Sequence, residues 1–178
     1  MNGSLMSVVK EWNKERGWHI CYIFNTKKYI ETVVSFIISG IKNKELVLLV
    51  ENERNILHIE KEIKKQLSKA QLANVHFINN FDFYWYNGDF HPQTITHYFS
   101  QIIDPFLTTG KFVRTWAHVE WDDEKEVNDK IEEFEKLAES LVDKKKILSV
   151  CAYDSSKIPD RWLRILIECH NVTVTDEE

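Results

Sequence analysis

Glycine, proline and cysteine are all scarce in this 178-residue chain, at five, three and three residues. So few glycines and prolines argue against long flexible linkers and for one continuous domain. The cysteines, Cys21, Cys151 and Cys169, are an odd set without a Cys-x-x-Cys pair. That usage predicts a reduced, cytoplasmic protein rather than a disulfide-stapled secreted one. No stretch approaches the roughly 18 apolar residues of a membrane span. The N-terminus, Met-Asn-Gly-Ser-Leu-Met, lacks the charged start and apolar run of a secretory leader. A broad basic face is missing too: net charge is −5 and the pI about 5.8. The lysines at 61–65 are diluted by acidic neighbours and those at 144–146 fall in a turn, so nucleic acid is not an expected partner.

The most telling absence is local. The apolar run His19–Phe24 leads into Asn25-Thr26-Lys27-Lys28-Tyr29 and then an amphipathic segment. A nucleotide-binding α/β protein would carry its phosphate loop there, with glycines that let backbone N–H groups close around phosphate. Residues 24–36 contain no glycine. After the third strand, where an ATPase places a magnesium-organising acid, the chain offers Asn79 and Asn80, with Asp82 two residues late. ATP hydrolysis is therefore not expected.

What is present is apolar mass: 43% of residues are hydrophobic and 12% aromatic, enough for one well-packed core. Six strand signals, at 19–24, 45–51, 74–78, 112–119, 147–153 and 171–175, are continuous apolar runs, as strands covered on both faces require. Helical spacing separates them over 27–42 and 53–69, from Pro92 onward, through Val127, Ile131, Phe134, Ala138 and Leu141, and from Pro159 to Leu166. This alternation predicts a three-layer α/β domain over 18–178, with a mainly parallel sheet and helices on both faces. Residues 1–17 form an N-terminal extension in which Leu5, Val8, Val9 and Trp12 could line one face of a helix, packed on the domain or used in a homodimer. Residues 79–91 form a loop dense in aromatics, which either seals the sheet edge or presents a ligand or partner surface.

The ordered set His19-x-Cys21-x-x-Phe24, Gly40 followed by Glu45–Val50, Tyr86-x-Gly88-x-Phe90-x-Pro92, Arg114, Glu120-Trp121, Glu135 and Cys151-x-Tyr153-Asp154 resembles the MEDS family, a sensory domain named from methanogens, methylotrophs and a dichloromethane-response regulator. The resemblance covers roughly 17–176. It implies a RecA-like or KaiC-like fold without a functional phosphate loop. It also implies a role in bacterial or archaeal signal transduction beside kinases, anti-sigma factors or transcription regulators. Small hydrocarbon derivatives are the ligands it suggests. No output domain fits in the remaining residues, so a signal would pass to a separate protein.

Ligands of open parallel sheets bind beyond the carboxyl ends of the strands. Those ends, and the residues sharing a face with them, nominate His19, Cys21, Asn25, Glu120, Trp121, Tyr153 and Asp154 as pocket residues, with Trp85 and Tyr86 as a covering flap. His19, Cys21, His118, Glu120 and Cys151 carry the donor atoms that zinc or iron accepts, and neighbouring strands could bring all five together. Hydrogen-bonded core is the competing reading, and no cofactor is otherwise expected. The favoured function is a non-enzymatic sensory domain binding a small apolar molecule, a signalling partner, or both. The alternatives are an interaction module without ligand, presenting residues 81–90 or 1–13, and a metal- or thiol-dependent enzyme.

Overall fold

The computed structural model describes residues 4–176. The first three residues of the N-terminal extension and the last two of the domain lie outside the described residues. Six strands form one sheet: β1 (Trp18–Phe24), β2 (Leu46–Glu51), β3 (Val75–Asn79), β4 (Val113–His118), β5 (Leu148–Asp154) and β6 (Val172–Thr175). Their order is β3-β2-β4-β5-β1-β6 and every pairing is parallel. Each strand lies within a residue or two of its predicted position. β2 is buried at every residue and β1 at every residue after Trp18, as continuous apolar runs between two helical layers demand.

One layer holds α1 (Leu5–Lys10), α2 (Tyr29–Lys42) and α3 (Glu53–Ile63). Ile20, Tyr22, Phe24, Trp116, Val150 and Ala152 of the sheet share a core with these helices. α1 spends its apolar face, Leu5, Val8 and Val9, on this same core, joined by Trp12. That face is therefore not the free docking surface considered for residues 1–13. The other layer holds α5 (Asn80–Tyr84), α6 (Pro92–Leu107), α8 (Ile131–Lys145) and α9 (Asp160–Glu168). Cys21, Ile23, Cys151 and Tyr153 face this side.

Helix boundaries follow capping chemistry. The predicted helix over 53–69 stops at Ile63, and Ser68 opens α4 (Lys69–Leu72) with a reciprocal capping box to Gln71. The predicted helix from Val127 to Leu141 is broken: α7 (Glu124–Asn128), capped by Asp123, ends where Asn128 turns its side chain to accept from the Trp162 indole at 2.9 Å. α8 then restarts at Ile131. Among the described residues, no helix is long and apolar enough to cross a membrane.

Candidate functional site

The carboxyl ends of β2, β3 and β4 open onto a crevice of about 240 Å³. Each strand ends in a residue that must bond outward, because the chain leaves the ladder there. Asn52 follows β2 and caps α3, its side chain accepting from the Asn55 N–H at 2.8 Å. Asn79 ends β3 and caps α5. Their positions as caps place amide groups on the crevice floor.

The floor is organised around two carboxylates. Glu51, fully buried, accepts from the Tyr29 hydroxyl, from the Asn52 N–H at 2.8 Å and from the Asn55 amide at 3.1 Å. It also lies 2.6 Å from His118 Nδ1. The Trp116 indole donates to Tyr29 at 2.9 Å, tying this group to the core beneath. Burial raises the Tyr29 hydroxyl well above its ordinary pKa, and the adjacent Glu51 charge adds to it, so Tyr29 remains a donor at any working pH. Glu120 is the half-buried partner. Its carboxylate accepts from the Asn52 amide at 2.9 Å and the Asn80 amide at 2.8 Å, with His118 Nε2 at 3.7 Å and Lys157 at 3.9 Å. Burial opposes ionisation of Glu120, but His118, the two amides and Lys157 outweigh it and hold its carboxyl below the ordinary value. The crevice therefore carries a fixed negative charge at neutral pH.

Aromatic rings form the walls. Phe81 and Trp85 stack with centroids 5.3 Å apart and planes within 13°. Trp121 stands across from them against Trp162. The aromatic segment expected as a loop is helical over α5, where Asn79 caps it, and it divides its work. Phe83, Tyr84 and Phe90 are buried and seal the α8 side of the sheet, while Phe81 and Trp85 face the crevice.

The nominated residues separate into three groups. Trp85, Glu120 and Trp121 line the crevice together. Tyr86 stacks on Tyr98 of α6 and Asp154 accepts from the Ser156 N–H and hydroxyl. Asn25 closes its own turn onto the Lys27 N–H while its backbone N–H donates to Asp176. None of these three lines the crevice. His19, Cys21 and Tyr153 lie beneath α8, in a buried group completed by Cys151, Glu135 and His170.

The predicted convergence of five metal donors is corrected here. β4, β5 and β1 are adjacent, but the register pairs Ala117, not His118, with Cys151 and Cys21. His118 therefore shares the α2 face with Phe24 and Tyr29, and His19, Cys21 and Cys151 occupy the α8 face. Two separate donor groups result: Glu51, His118 and Glu120 on one side, and His19, Glu135, Cys151 and His170 on the other. Burial raises the thiols of Cys21 and Cys151 well above their usual value, with the Glu135 charge adding to it. Tyr29 and Lys157 carry no sequence signal for the site; Asn52 and Asn80 follow from the strand-end rule but are not among the nominated pocket residues.

A family model described as MEDS, MEthanogen/methylotroph, DcmR Sensory domain, matches residues 18–171. No curated protein matches the sequence.

Proposed function

The chain belongs to the MEDS family of sensory domains, and from that premise we propose a non-enzymatic sensor in prokaryotic signalling that reads a small molecule in the strand-end crevice. The observation that supports this reading is the pairing of aromatic walls, Phe81, Trp85 and Trp121, with one carboxylate fixed by two amides. Such a site suits a ligand with an apolar body and one hydrogen-bond donor, the donor meeting Glu120. A volume of about 240 Å³ restricts it to small compounds, in keeping with hydrocarbon derivatives. Ligand under the aromatic wall would favour one arrangement of α5 and the loop behind it, and a kinase, anti-sigma factor or transcription regulator would read that population. Burial holds the Cys21 thiol protonated, which supports a role without nucleophilic turnover at that cysteine.

The test is a fluorescence titration with a panel of small alcohols, amines and halogenated hydrocarbons. Saturable quenching is expected, and Trp85→Ala should weaken affinity about tenfold or more while changing the unfolding free energy by less than about 1 kcal/mol. Unchanged affinity would remove the wall from the site.

A pH series adds an independent check. The Glu120 pKa is depressed, so its carboxylate persists below the ordinary glutamate range. Affinity for a neutral donor-bearing ligand should be level from pH 8 to about 5 and fall only below about 4.5. Loss of affinity between pH 7 and 6 would point to a histidine instead.

A further inference from the structure

Beneath α8, the side chains of His19, Glu135, Cys151 and His170 meet out of contact with solvent. His19 Nε2 is 3.2 Å from Cys151 Sγ and 3.5 Å from Glu135 Oε2. Glu135 Oε2 is 3.2 Å from His170 Nε2. The four atoms all lie within 4.8 Å of one another.

The proton positions make this cluster unusual. His170 Nδ1 is 2.7 Å from the Leu166 carbonyl, which can only accept, so Nδ1 carries the hydrogen. In a neutral ring the lone pair of Nε2 then points at a carboxylate oxygen that also bears lone pairs. Neither His170 Nε2 nor Glu135 Oε2 has a hydrogen-bond partner, although both are buried. Among the described residues, the basic groups within ion-pair distance of Glu135 are the two imidazoles. Facing acceptors in a dry space repel unless a cation sits between them.

We propose that His19 Nε2, Glu135 Oε2, Cys151 Sγ and His170 Nε2 form a closed tetrahedral site for Zn²⁺. Zinc–nitrogen and zinc–sulfur bonds of about 2.0–2.3 Å give tetrahedral edges of about 3.3–3.6 Å. The three short separations fall within a few tenths of an ångström of those edges. Charge balances as well: a divalent cation with one carboxylate and one thiolate is neutral, the condition a buried site requires. The outer partners have the form such sites use. The Leu166 carbonyl fixes the His170 tautomer, and the Tyr153 hydroxyl donates to the other oxygen of Glu135. Four protein donors leave no open position, so the site is structural: it clamps β1, β5, α8 and the turn between α9 and β6. Binding requires loss of the Cys151 proton, which leaves to solvent as the metal enters. The site is separate from the crevice and stands or falls independently of it.

The experiment is metal analysis and native mass spectrometry of the full chain under a non-chelating reductant, followed by Co²⁺ titration of chelator-stripped protein. About one Zn²⁺ per chain is expected, with a tetrahedral cobalt spectrum that includes a thiolate-to-cobalt charge-transfer band. Cys151→Ser should lose that band, and Cys21→Ser and Cys169→Ser should keep it. Stripping the metal should lower the thermal midpoint by roughly 10 °C. Wild-type protein that takes up neither Zn²⁺ nor Co²⁺ would overturn the site and leave a proton, as a His170 imidazolium, between the two acceptors. Uptake without a thiolate band, or a band that survives in Cys151→Ser, would overturn it too. Because the wild-type spectrum decides on its own, an insoluble Cys151→Ser variant does not shield the proposal.

Discussion

Arg114→Met is expected to destabilise the domain by about 3–5 kcal/mol, a large share of the roughly 5–15 kcal/mol that holds a typical domain together. The guanidinium is 1% exposed in the middle of the sheet, where an unpaired charge could not persist. Its Nε donates to Glu45, itself buried, and its Nη1 donates to the Phe36 carbonyl of α2 at 3.1 Å. The Phe36 ring lies 5.0 Å from the guanidinium carbon. α2 presses close here because Gly40 has no side chain: a Cβ at that position would lie 2.8 Å from the Arg114 stem and 2.9 Å from Val47. Removing the arginine leaves the Glu45 carboxylate facing Lys14, at 2.9 Å from a partly exposed position. Arg114→Met with Glu45→Met should recover most of the loss, since apolar side chains of similar volume replace a buried pair at little cost. Urea midpoints of the parent, the single variant and the double variant decide it. A single-variant cost under about 1 kcal/mol would mean the pair contributes no more than a surface salt bridge.

The layering of this fold was legible because its signals are periodic. Strands buried on both faces read as continuous apolar runs, and β2 and β5 show little else. Which residues share a face within one strand was legible too: His19 with Cys21, and Cys151 with Tyr153, meet as parity requires. Parity between strands was not. His118 and Glu120 look equivalent to His19 and Cys21 in sequence, but register sends His118 to the opposite layer, and nothing local in one sequence fixes register in a parallel sheet. Glu135 carries a readable signal beyond the family resemblance. It falls at the helical spacing Ile131, Glu135, Ala138, Val142, which is an acid on the inward stripe of α8. His170 had no such signal, because it lies in the turn between α9 and β6, where no periodicity applies. Asn52 and Asn80 are legible as strand-end residues, but their bonds to Glu120 are not, because side chains at strand ends acquire that second role only when the ends are brought together.

Glu120, which lines the crevice, and Glu51, buried beneath it, should separate sharply when each is neutralised. Glu51→Ala is expected to cost about 3–5 kcal/mol, the range for stranding buried partners of a removed charge. It would leave the Tyr29 hydroxyl, His118 Nδ1, the Asn52 N–H and the Asn55 amide without their shared acceptor. Glu51→Gln keeps the shape and one acceptor oxygen but turns an amide N–H toward groups that already donate, so about 1–3 kcal/mol is expected. Glu120→Gln should change stability by less than about 1 kcal/mol, because water reaches its carboxylate. It should nevertheless remove most of the affinity for a donor-bearing ligand. Chemical denaturation and fluorescence titration on the same three variants make the comparison. If Glu51→Ala unfolds within about 1 kcal/mol of the parent, the buried network is not what shapes the crevice floor. If Glu120→Gln binds as the parent does, Glu120 is not the group that receives the ligand. The division expected here, one carboxylate fully buried to hold the strand ends and one half-buried and reached by water to receive the ligand, follows from position. Glu51 still lies within the ladder of β2, whereas Glu120 lies two residues past the end of β4.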